Sequence, residues 1–508
     1  MIVPWKVNWT DSKGVCLVTT AFSKKLLTSV LVVVLAVVFL AWASPAAAAG
    51  RPYDEAPMRI VKEGLTARQH LERQMVLSQK LAREMPQAAL EPAVRITLSK
   101  EEISGIEKSS LRATPLKIGF VKALTPGIVV AGLDNESVGS LDKRADGAVW
   151  ATTIRAEGAG AIRLHLQGMS LPQNAELYVY NRKGQAFGPY TGAGPDFSGD
   201  LWTTTVFGNE AILQLRMTGP VTEADLAAVS FRVEEAGFII EKFAGRLTGI
   251  DPFGTFEKAG ETDAPFPCGN PGCVVDATCT DVAIANPAKL AMAKMEWVSG
   301  AFIYTCTGGL LSDNNPAQGN FFLTANHCLS SNKAAKNVNF YWRYATASCD
   351  GTCPVNGGWP YVTTGASVAA SNRKGDFTLM QLTTNPPAGS VLLGWTNAPV
   401  ANTNGALLYR ISNPNFGPQV YSHHQVDTST GTCTGWPRGE RIYSRDLTGA
   451  TDGGSSGSPV LNAASQVVGQ LTGACGFNVN DPCDAESNAT VDGAFAFYYN
   501  TVRPFLNP

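Results

Sequence analysis

The sequence has no excess of charge of either sign. It carries 40 Lys and Arg residues against 42 Asp and Glu residues, a formal net charge of −2. Binding to nucleic acid or to an anionic lipid surface depends on clustered positive charge, so the composition favours neither partner. Charged residues are 16% of the chain, below the ~25% of average proteins, whereas hydrophobic residues at 44% suffice for packed cores. This balance excludes a disordered chain, a collagen and a coiled coil.

Cysteine is missing from the first half of the chain apart from Cys16. The other ten of the 11 cysteines are Cys268, Cys273, Cys279, Cys306, Cys328, Cys349, Cys353, Cys433, Cys475 and Cys483. An even number confined to one region is typical of a disulfide framework in an exported domain. No C-x-x-C pair occurs, so the spacing does not favour zinc. The sequence predicts neither a metal nor another cofactor.

Long apolar runs are scarce, and one lies near the N-terminus. Lys24 and Lys25 precede the apolar run 26–43, which small residues follow. This pattern is typical of a secretory signal peptide, so residues 1–49 are predicted to be removed. An uncleaved membrane anchor is the alternative, because about 18 apolar residues is near the lower limit for a spanning helix. The first interpretation predicts a secreted protein with no membrane contact after cleavage.

The remaining chain divides by its residue patterns into four parts. Residues 50–110 are highly charged and include a stretch with apolar residues on one helical face. Residues 111–244 show short alternating runs between turns, which predicts an antiparallel β-sandwich. Residues 245–267 are rich in Gly, Pro and polar residues and are predicted to be a linker with a processing site. Residues 268–508 have a length suited to one all-β, barrel-type domain.

Three segments of the last part carry candidate chemistry. The apolar segment FFLTANHC ends in a turn that presents His327. The segment GDFTLMQL places Asp376 at the start of an alternating strand, and the glycine-lined loop TDGGSSGSPV holds Ser456. Each segment alone is a weak signal, but the combination is specific.

The three side chains together meet the requirements of nucleophilic catalysis. A serine hydroxyl becomes a strong nucleophile when an imidazole takes its proton, and a buried carboxylate must orient that imidazole. We therefore predict that His327, Asp376 and Ser456 form a catalytic triad. The backbone amides of Gly454 and Ser456 are predicted to hold the oxyanion, since glycine leaves the backbone unobstructed. The order His, Asp, Ser matches chymotrypsin and differs from subtilisin and the α/β-hydrolases.

Two other functions fit parts of the same pattern. The serine loop also matches G-x-S-x-G, the nucleophile elbow of esterases, but that fold needs a histidine after the serine. The last histidine is His424, so an esterase is excluded. A protease-like protein that only binds is the other alternative, and it would have no need to keep His327, Asp376 and Ser456.

The motifs T-A-x-H-C, D-F-T-L-x-x-L and G-S-S-G-S-P together resemble those of chymotrypsin-like serine endopeptidases. They are most similar to the secreted bacterial lysyl endopeptidase group, and the likeness covers nearly all of residues 268–508. The sandwich before it resembles the pro-regions of such enzymes. The resemblance implies a mainly β chain: two six-stranded β-barrels with the triad between them, preceded by the sandwich pro-region with its short helical segment. It also implies protein or peptide substrates, and we expect a monomer.

The resemblance also implies particular disulfides. These are Cys306–Cys328, Cys279–Cys349, and a bridge from Cys273 to either Cys475 or Cys483. It assigns no partners to Cys268, Cys353 and Cys433.

One departure from relatives concerns activation. In animal trypsin-type enzymes an aspartate before the nucleophile receives the new N-terminal ammonium, whereas Ser455 stands here. Activation by N-terminal insertion is therefore not expected. Our hypothesis is that the chain's own pro-region assists folding and blocks the cleft until it is removed, with cleavage after Lys258 as a candidate.

The second departure concerns the primary pocket, which binds the substrate residue before the scissile bond (P1). An acid there would pair with Lys or Arg at P1, and the sequence offers Asp452 and Asp492. Thr472 and Thr490 stand where the resemblance implies a histidine and an aspartate. The sequence predicts a basic P1 preference, with a small or apolar preference as the alternative. The predicted lining residues are Asp452, Thr472, Gly473, Ala474 and Asp492.

Overall fold

The structure is a computed structural model of the 508-residue chain. It describes residues 53–508 except 111–113, 134–137, 245–265, 316, 318 and 355–360. The predicted signal peptide and most of the predicted linker, including Lys258, lie outside the described residues. The described chain is mainly β, as the sequence predicts.

The N-terminal part combines short strands with two helices. Helix α1 begins after Thr66, whose hydroxyl accepts a hydrogen bond from the Gln69 amide while the Gln69 side chain accepts one from the Thr66 amide. This capping box satisfies amides that have no partner within the helix. The elements are β1 (Glu55–Ala56), β2 (Arg59–Ile60), α1 (Ala67–Glu84), β3 (Val94–Thr97) and α2 (Lys100–Ser110).

The next part contains two facing sheets. The first has the order β3-β6-β12-β8-β9 with β5 beside β6, and the second contains β7, β13 and β4 as neighbours. Alternating apolar residues fill the space between the sheets, where Trp150 and Phe231 lie with ring centroids 5.5 Å apart. The elements are β4 (Leu116–Ala131), β5 (Ser140–Arg144), β6 (Gly147–Glu157), β7 (Ala159–Ser170), β8 (Ala175–Tyr180), β9 (Ala186–Tyr190), β10 (Leu201–Trp202), β11 (Val206–Phe207), β12 (Glu210–Thr218), α3 (Glu223–Ala227), β13 (Ser230–Ile240) and α4 (Glu241–Ala244).

The C-terminal part begins with a curved sheet and ends with a barrel and a helix. The elements of the curved sheet and the preceding segment are β14 (Val275–Asp276), α5 (Asn286–Ala291), β15 (Met292–Ser299), β16 (Phe302–Leu311), β17 (Phe321–Thr324), α6 (Asn332–Ala335), β18 (Asn339–Trp342), β19 (Val362–Thr364), β20 (Ala366–Asn372) and β21 (Phe377–Leu382). The remaining elements are β22 (Val391–Leu392), β23 (Trp395–Thr396), β24 (Leu407–Ser412), β25 (Val420–Val426), β26 (Arg441–Thr448), β27 (Pro459–Leu461), β28 (Val467–Gly476), β29 (Asn488–Ala494) and α7 (Phe495–Leu506).

The second half of this part is a closed six-stranded barrel. Its strands follow the order β28-β27-β24-β25-β26-β29, and pairing of β29 with β28 closes it. The first half follows the path β19-β18-β15-β16-β17-β21-β20. Within the described residues no pairing joins β19 to β20, so this half is a half-barrel. The arrangement is a chymotrypsin-like double barrel, with one of the two barrels open.

The sandwich and the first half-barrel share one continuous sheet. Strand β4 pairs antiparallel with β16, so that Leu116 lies opposite Thr305. Beside this seam the fully buried guanidinium of Arg163 lies 3.3 Å from the carboxylate of Glu296. The alternating sequence predicts the sandwich strands but not this pairing, because it joins segments far apart in the chain.

Five disulfides cross-link the C-terminal part. They include Cys306–Cys328 and Cys279–Cys349, the two pairs that the resemblance implies. Cys273 is joined to Cys483, one of its two implied partners, and the remaining pairs are Cys268–Cys353 and Cys433–Cys475.

Candidate active site

His327 and Asp376 meet at one end of the half-barrel. His327 lies in the turn after β17, and Asp376 lies directly before β21, which pairs with β17. The Nδ1 atom of His327 is 2.9 Å from one carboxylate oxygen of Asp376 and 3.1 Å from the other. The backbone amide of His327 also donates to this carboxylate, at 3.0 Å. The carboxylate therefore fixes the ring, and Nδ1–H points at Asp376, which leaves Nε2 to accept a proton.

Asp376 is held in place by the neighbouring barrel. Its backbone has a φ of 53°, a left-handed conformation that aspartate tolerates better than most residues. Its carbonyl oxygen accepts hydrogen bonds from the Asn326 amide (3.1 Å) and from the side-chain amide of Gln470 (2.8 Å). Gln470 belongs to β28, so the closed barrel positions a residue of the half-barrel.

The loop that holds Ser456 packs directly against the histidine turn. Thr307 donates its amide to the carbonyl of Ser456 (2.9 Å) and its hydroxyl to the carbonyl of Gly454 (2.9 Å). Gly457 has a φ of +81°, and a Cβ atom there would lie 2.2 Å from the hydroxyl oxygen of Thr324. Only glycine allows the serine loop to approach the turn before His327 this closely.

Ser456 and His327 line one cavity of about 1000 Å³. Within the described part of the chain, no hydrogen bond joins the Ser456 hydroxyl to His327 Nε2. Catalytic hydrogen bonds are often long in structures without substrate and tighten in the Michaelis complex. The structure thus brings together His327 and Asp376 by direct contact, and places Ser456 in the same cavity.

The backbone amides of Gly454 and Ser456 have no acceptor among the described residues. Gly454 has a φ of +95°, which suits glycine. Unpaired amides beside a cavity are available to an anionic oxygen. Ser455, between them, is buried and accepts a hydrogen bond from the Ser412 hydroxyl (3.0 Å), so it presents no carboxylate to an incoming ammonium.

Of the two acids that the sequence predicts for the primary pocket, only one lines the cavity. Asp492 does not line the cavity. It is fully buried and forms an ion pair with Arg410 at 2.5 Å, so its expected role as a pocket residue is wrong. Asp452 does line the cavity, but its carboxylate accepts hydrogen bonds from the Gly453 amide (2.7 Å) and the Asn415 side chain (3.0 Å). The other predicted lining residues Thr472, Gly473 and Ala474 lie in the cavity wall.

Another acid that lines the cavity, Asp446, was missed by sequence reasoning. It lies on β26, and its Oδ1 accepts hydrogen bonds from His424 Nδ1 (2.6 Å) and the Thr490 hydroxyl (2.7 Å). Burial raises the pKa of Asp446, but His424, Thr490 and Arg410 outweigh this effect and the pKa lies below its usual value. The alternation in RIYSRDLT could have placed Asp446 on the same face as Ser444 and Ile442, but nothing in the sequence aims that face at Ser456.

Two groups of metal-ligating side chains lie close together in the described residues. One contains Cys306 and Cys328 beside His327, and the other contains Cys279 and Cys349 beside Asp350. Both cysteine pairs are disulfides, and a disulfide sulfur is not a thiolate ligand.

Comparison with known proteins identifies the family. A family model described as "Lysyl endopeptidase, C-terminal domain" matches residues 270–487. The lysyl endopeptidase of Pseudomonas aeruginosa is 30% identical over 375 residues, which cover 71% of this chain and 74% of that relative. The chain belongs to the lysyl endopeptidase family. It is a serine endopeptidase of trypsin fold, as the sequence motifs predict.

Solved structures resemble this lysyl endopeptidase family member only distantly. The active form of the Rv3671c protease from M. tuberculosis is 16% identical, with a TM-score of 0.31, and covers 50% of this chain and 94% of that one. The HtrA-type protease AlgW with tripeptide is 17% identical, with a TM-score of 0.31, and covers 44% of this chain and 62% of that one. The fold assignment therefore rests on the strand pairing described above.

The described residues of this family member include no helix with the length and apolar character needed to cross a membrane.

Proposed function

We propose that this chain is a secreted serine endopeptidase precursor that cleaves with Ser456, His327 and Asp376. Ser456 attacks the scissile carbonyl while His327 takes its proton, and Asp376 orients and stabilises the imidazolium. The amides of Gly454 and Ser456 hold the oxyanion, and water hydrolyses the acyl-enzyme. The observation that carries this proposal is the doubly hydrogen-bonded contact of His327 with Asp376 in the cavity that Ser456 lines.

A fluorophosphonate probe tests the triad. The mature enzyme should be labelled at Ser456, and Ser456→Ala should abolish both labelling and peptide hydrolysis. The Ser455→Ala variant is the matched control, because Ser455 is adjacent but its hydroxyl faces Ser412. Hydrolysis that persists in Ser456→Ala would contradict the proposal.

The N-terminal part is proposed to keep the precursor inactive. Residues from this part line the cavity together with the triad residues: Ser110, Thr114, Leu116, Lys242 and Phe243. The side chain of Leu116 lies 3.3 Å from the position of a Cβ atom on Gly453, in the serine loop. Leu116 also lies opposite Thr305 on β16. The next residue, Cys306, is bridged to Cys328, which follows His327. A polypeptide substrate cannot reach this edge of the cleft while β4 covers it.

Removal of the N-terminal part is proposed to accompany export. Cleavage near Ala49 and again in residues 245–267 would release residues 50–244 from the endopeptidase. The ten paired cysteines are suited to an oxidising compartment. N-terminal sequencing of the protein from culture supernatant tests both cleavages. A full-length, active protein starting near residue 50 would contradict the precursor scheme.

The substrate residue at P1 is proposed to be Lys or Arg. Asp446 and Asp452 line the cavity beside Ser456. A carboxylate in the primary pocket would pair with the cationic end of Lys or Arg, whereas a small or apolar P1 residue brings no positive charge to it. A digest of a peptide library with the mature enzyme tests this preference, and cuts after Ala, Val or Phe would contradict it.

A further inference from the structure

Asp446 has one carboxylate oxygen engaged and the other open. Both hydrogen bonds from His424 and Thr490 go to Oδ1. Among the described residues, none donates a hydrogen bond to Oδ2. The side chain keeps 13% of its surface exposed, and this exposure faces the cavity that Ser456 lines. A partly buried carboxylate oxygen with no donor is an acceptor site for a ligand that brings its own donors.

The groups around Asp446 use only part of its hydrogen-bonding capacity. His424 is fully buried, and its Nε2 lies 2.7 Å from the Ser422 hydroxyl. Both ring nitrogens of His424 are therefore engaged within the wall, Nδ1 with Asp446 and Nε2 with Ser422. The nearby guanidinium of Arg410 is hydrogen-bonded to Asp492 and Ser458 and donates no hydrogen bond to Asp446 among the described residues.

Thr472 provides a second, independent observation. Only 5% of this residue is exposed, and its hydroxyl oxygen is buried without a hydrogen-bond partner among the described residues. Thr472 lines the same cavity as Asp446 and Ser456. A buried hydroxyl without a hydrogen-bond partner costs free energy unless a ligand forms the missing hydrogen bond.

Apolar surface in the same cavity suits an aliphatic chain. Gly473 has no side chain, and the ring of Trp436 lies 3.8 Å from the position that a Cβ atom on Gly473 would take. The Cys433–Cys475 disulfide joins the strand of Gly473 to the loop of Trp436. Lys and Arg bury such stems against apolar surface while their charged ends reach a polar group.

We propose that Asp446 is the specificity-determining acid of the primary pocket, which is formed by Asp446, Thr472, Thr490, Gly473 and Trp436. Its Oδ2 accepts a hydrogen bond from the charged end of a Lys or Arg side chain at P1, and the Thr472 hydroxyl oxygen accepts a second one. Thr490 and His424 hold the carboxylate in position. This inference rests on the proposed triad, which supplies the nucleophile at the mouth of the pocket.

The test compares Asp446→Asn with the wild-type mature enzyme on peptides that differ only in P1 (Lys, Arg, Leu or Ala). Fluorophosphonate titration gives the concentration of functional active sites in each preparation. The kcat/KM values for Lys and Arg peptides should fall about 100-fold or more, because the cation loses a buried partner. The values for Leu and Ala peptides should stay within a few fold or rise.

The matched control is Asp481→Asn. Asp481 also lines the cavity but is exposed on the loop before β29. The Lys-to-Leu ratio of kcat/KM should stay within about twofold of wild type, since an exposed, screened charge contributes little. An equal loss in both variants would mean that general negative charge, and not Asp446, selects the substrate.

A second variant decides the case in which Asp446→Asn does not fold. Thr472→Val keeps the shape of the side chain and removes only the unpaired hydroxyl. It should lower the Lys-to-Leu ratio about 3- to 10-fold, consistent with the loss of one hydrogen bond to a charged group. An unchanged ratio in Thr472→Val or in a folded Asp446→Asn would overturn the inference.

The outcomes separate this inference from the function on which it rests. A processed wild-type enzyme that the probe does not label contradicts the triad. A wild-type enzyme that is labelled at Ser456, yet does not prefer Lys or Arg over Leu at P1, contradicts the role of Asp446 and leaves the triad intact.

Discussion

At the scale of single residues, Asp376 has two effects on His327. It accepts the Nδ1–H of the ring, and it accepts the backbone amide of the same residue. In Asp376→Asn the side chain retains its shape, but its amide can force the wrong tautomer on His327. We expect kcat to fall about 10³–10⁴-fold. The melting temperature should change by only a few degrees. Steady-state kinetics measures the change in kcat, and thermal unfolding measures the change in melting temperature.

If Asp376→Asn retained activity within tenfold of wild type, another group would have to orient His327. Asp452→Asn is a useful comparison, because its carboxylate contacts the serine loop and not the imidazole.

Gly457 sets how close the serine loop comes to the histidine turn. In Gly457→Ala the new Cβ atom would meet the Thr324 hydroxyl at 2.2 Å and the Ala325 amide at 2.6 Å, and the backbone φ of +81° adds strain. We expect fluorophosphonate labelling to slow at least about 100-fold, since even 1 Å of misplacement can cost that factor. Gly435→Ala is the control, because its φ is +79° and nothing lies within 4 Å of the added atom. Equal labelling rates would contradict the close approach.

At the scale of elements, the seam between the sandwich and the half-barrel contains two ion pairs of different burial. Arg163 and Glu296 are fully buried, whereas Lys336 and Asp196 are partly exposed. Arg163→Ala leaves Glu296 without its guanidinium, which should destabilise the precursor by about 3 kcal/mol. Lys336→Ala should cost about 1 kcal/mol or less. Denaturant unfolding of both variants, each in a Ser456→Ala background, measures the difference in the free energy of unfolding. The Ser456→Ala background prevents self-cleavage during the measurement. Equal losses of stability in the two variants would contradict the difference in burial between the two ion pairs.

The exposed pair of this seam also gives a pH dependence. Burial raises the pKa of Asp196, but hydrogen bonds from Lys336 and Ser198 lower it to about 2, below its usual 3.8. A carboxylate whose pKa is lower in the folded state than in the unfolded state stabilises the folded state when the pH is above the unfolded-state pKa. This contribution is lost as the pH falls toward the folded-state pKa. We expect the difference in stability between wild type and Lys336→Ala to shrink between about pH 4 and pH 2. A difference that stays constant over this range would contradict the pairing.

The elements of the candidate site were largely predictable from local patterns. The motifs around His327, Asp376 and Ser456 place each residue at a strand end or in a glycine-lined loop, which is where the structure has them. Asp446 could not be found in the same way, because only the pairing of β26 with β25 and β29 turns its carboxylate toward His424, Thr490 and the cavity. Asp492 was misassigned for the same reason, since the sequence does not reveal its buried partner Arg410.

At the scale of the whole molecule, one strand couples the N-terminal part to the cleft. The sequence predicts a sandwich as a separate unit, but β4 extends it into the half-barrel through hydrogen bonds to β16. Backbone pairing of this kind carries no residue signature, because any two strand edges can form it. The whole-chain arrangement therefore needed the structure, even though both halves follow from alternation and turns.

This coupling predicts how the precursor could be unblocked. Leu116 is buried at the start of β4, against the serine loop, so Leu116→Asp should place an unpaired charge there and loosen the segment. We expect the uncleaved precursor to react with a fluorophosphonate about tenfold faster than wild type. Val129→Asp is the control, because Val129 lies on the same strand but is exposed and far along it. If both precursors react at the wild-type rate, β4 does not block the cleft.

The measurement that tests the central claim most directly is mass spectrometry of the mature enzyme after fluorophosphonate labelling. The account predicts one adduct, located on Ser456, with the adduct and peptide hydrolysis both absent from Ser456→Ala and strongly reduced in His327→Ala. An adduct on another residue, or hydrolysis that continues in Ser456→Ala, would contradict it.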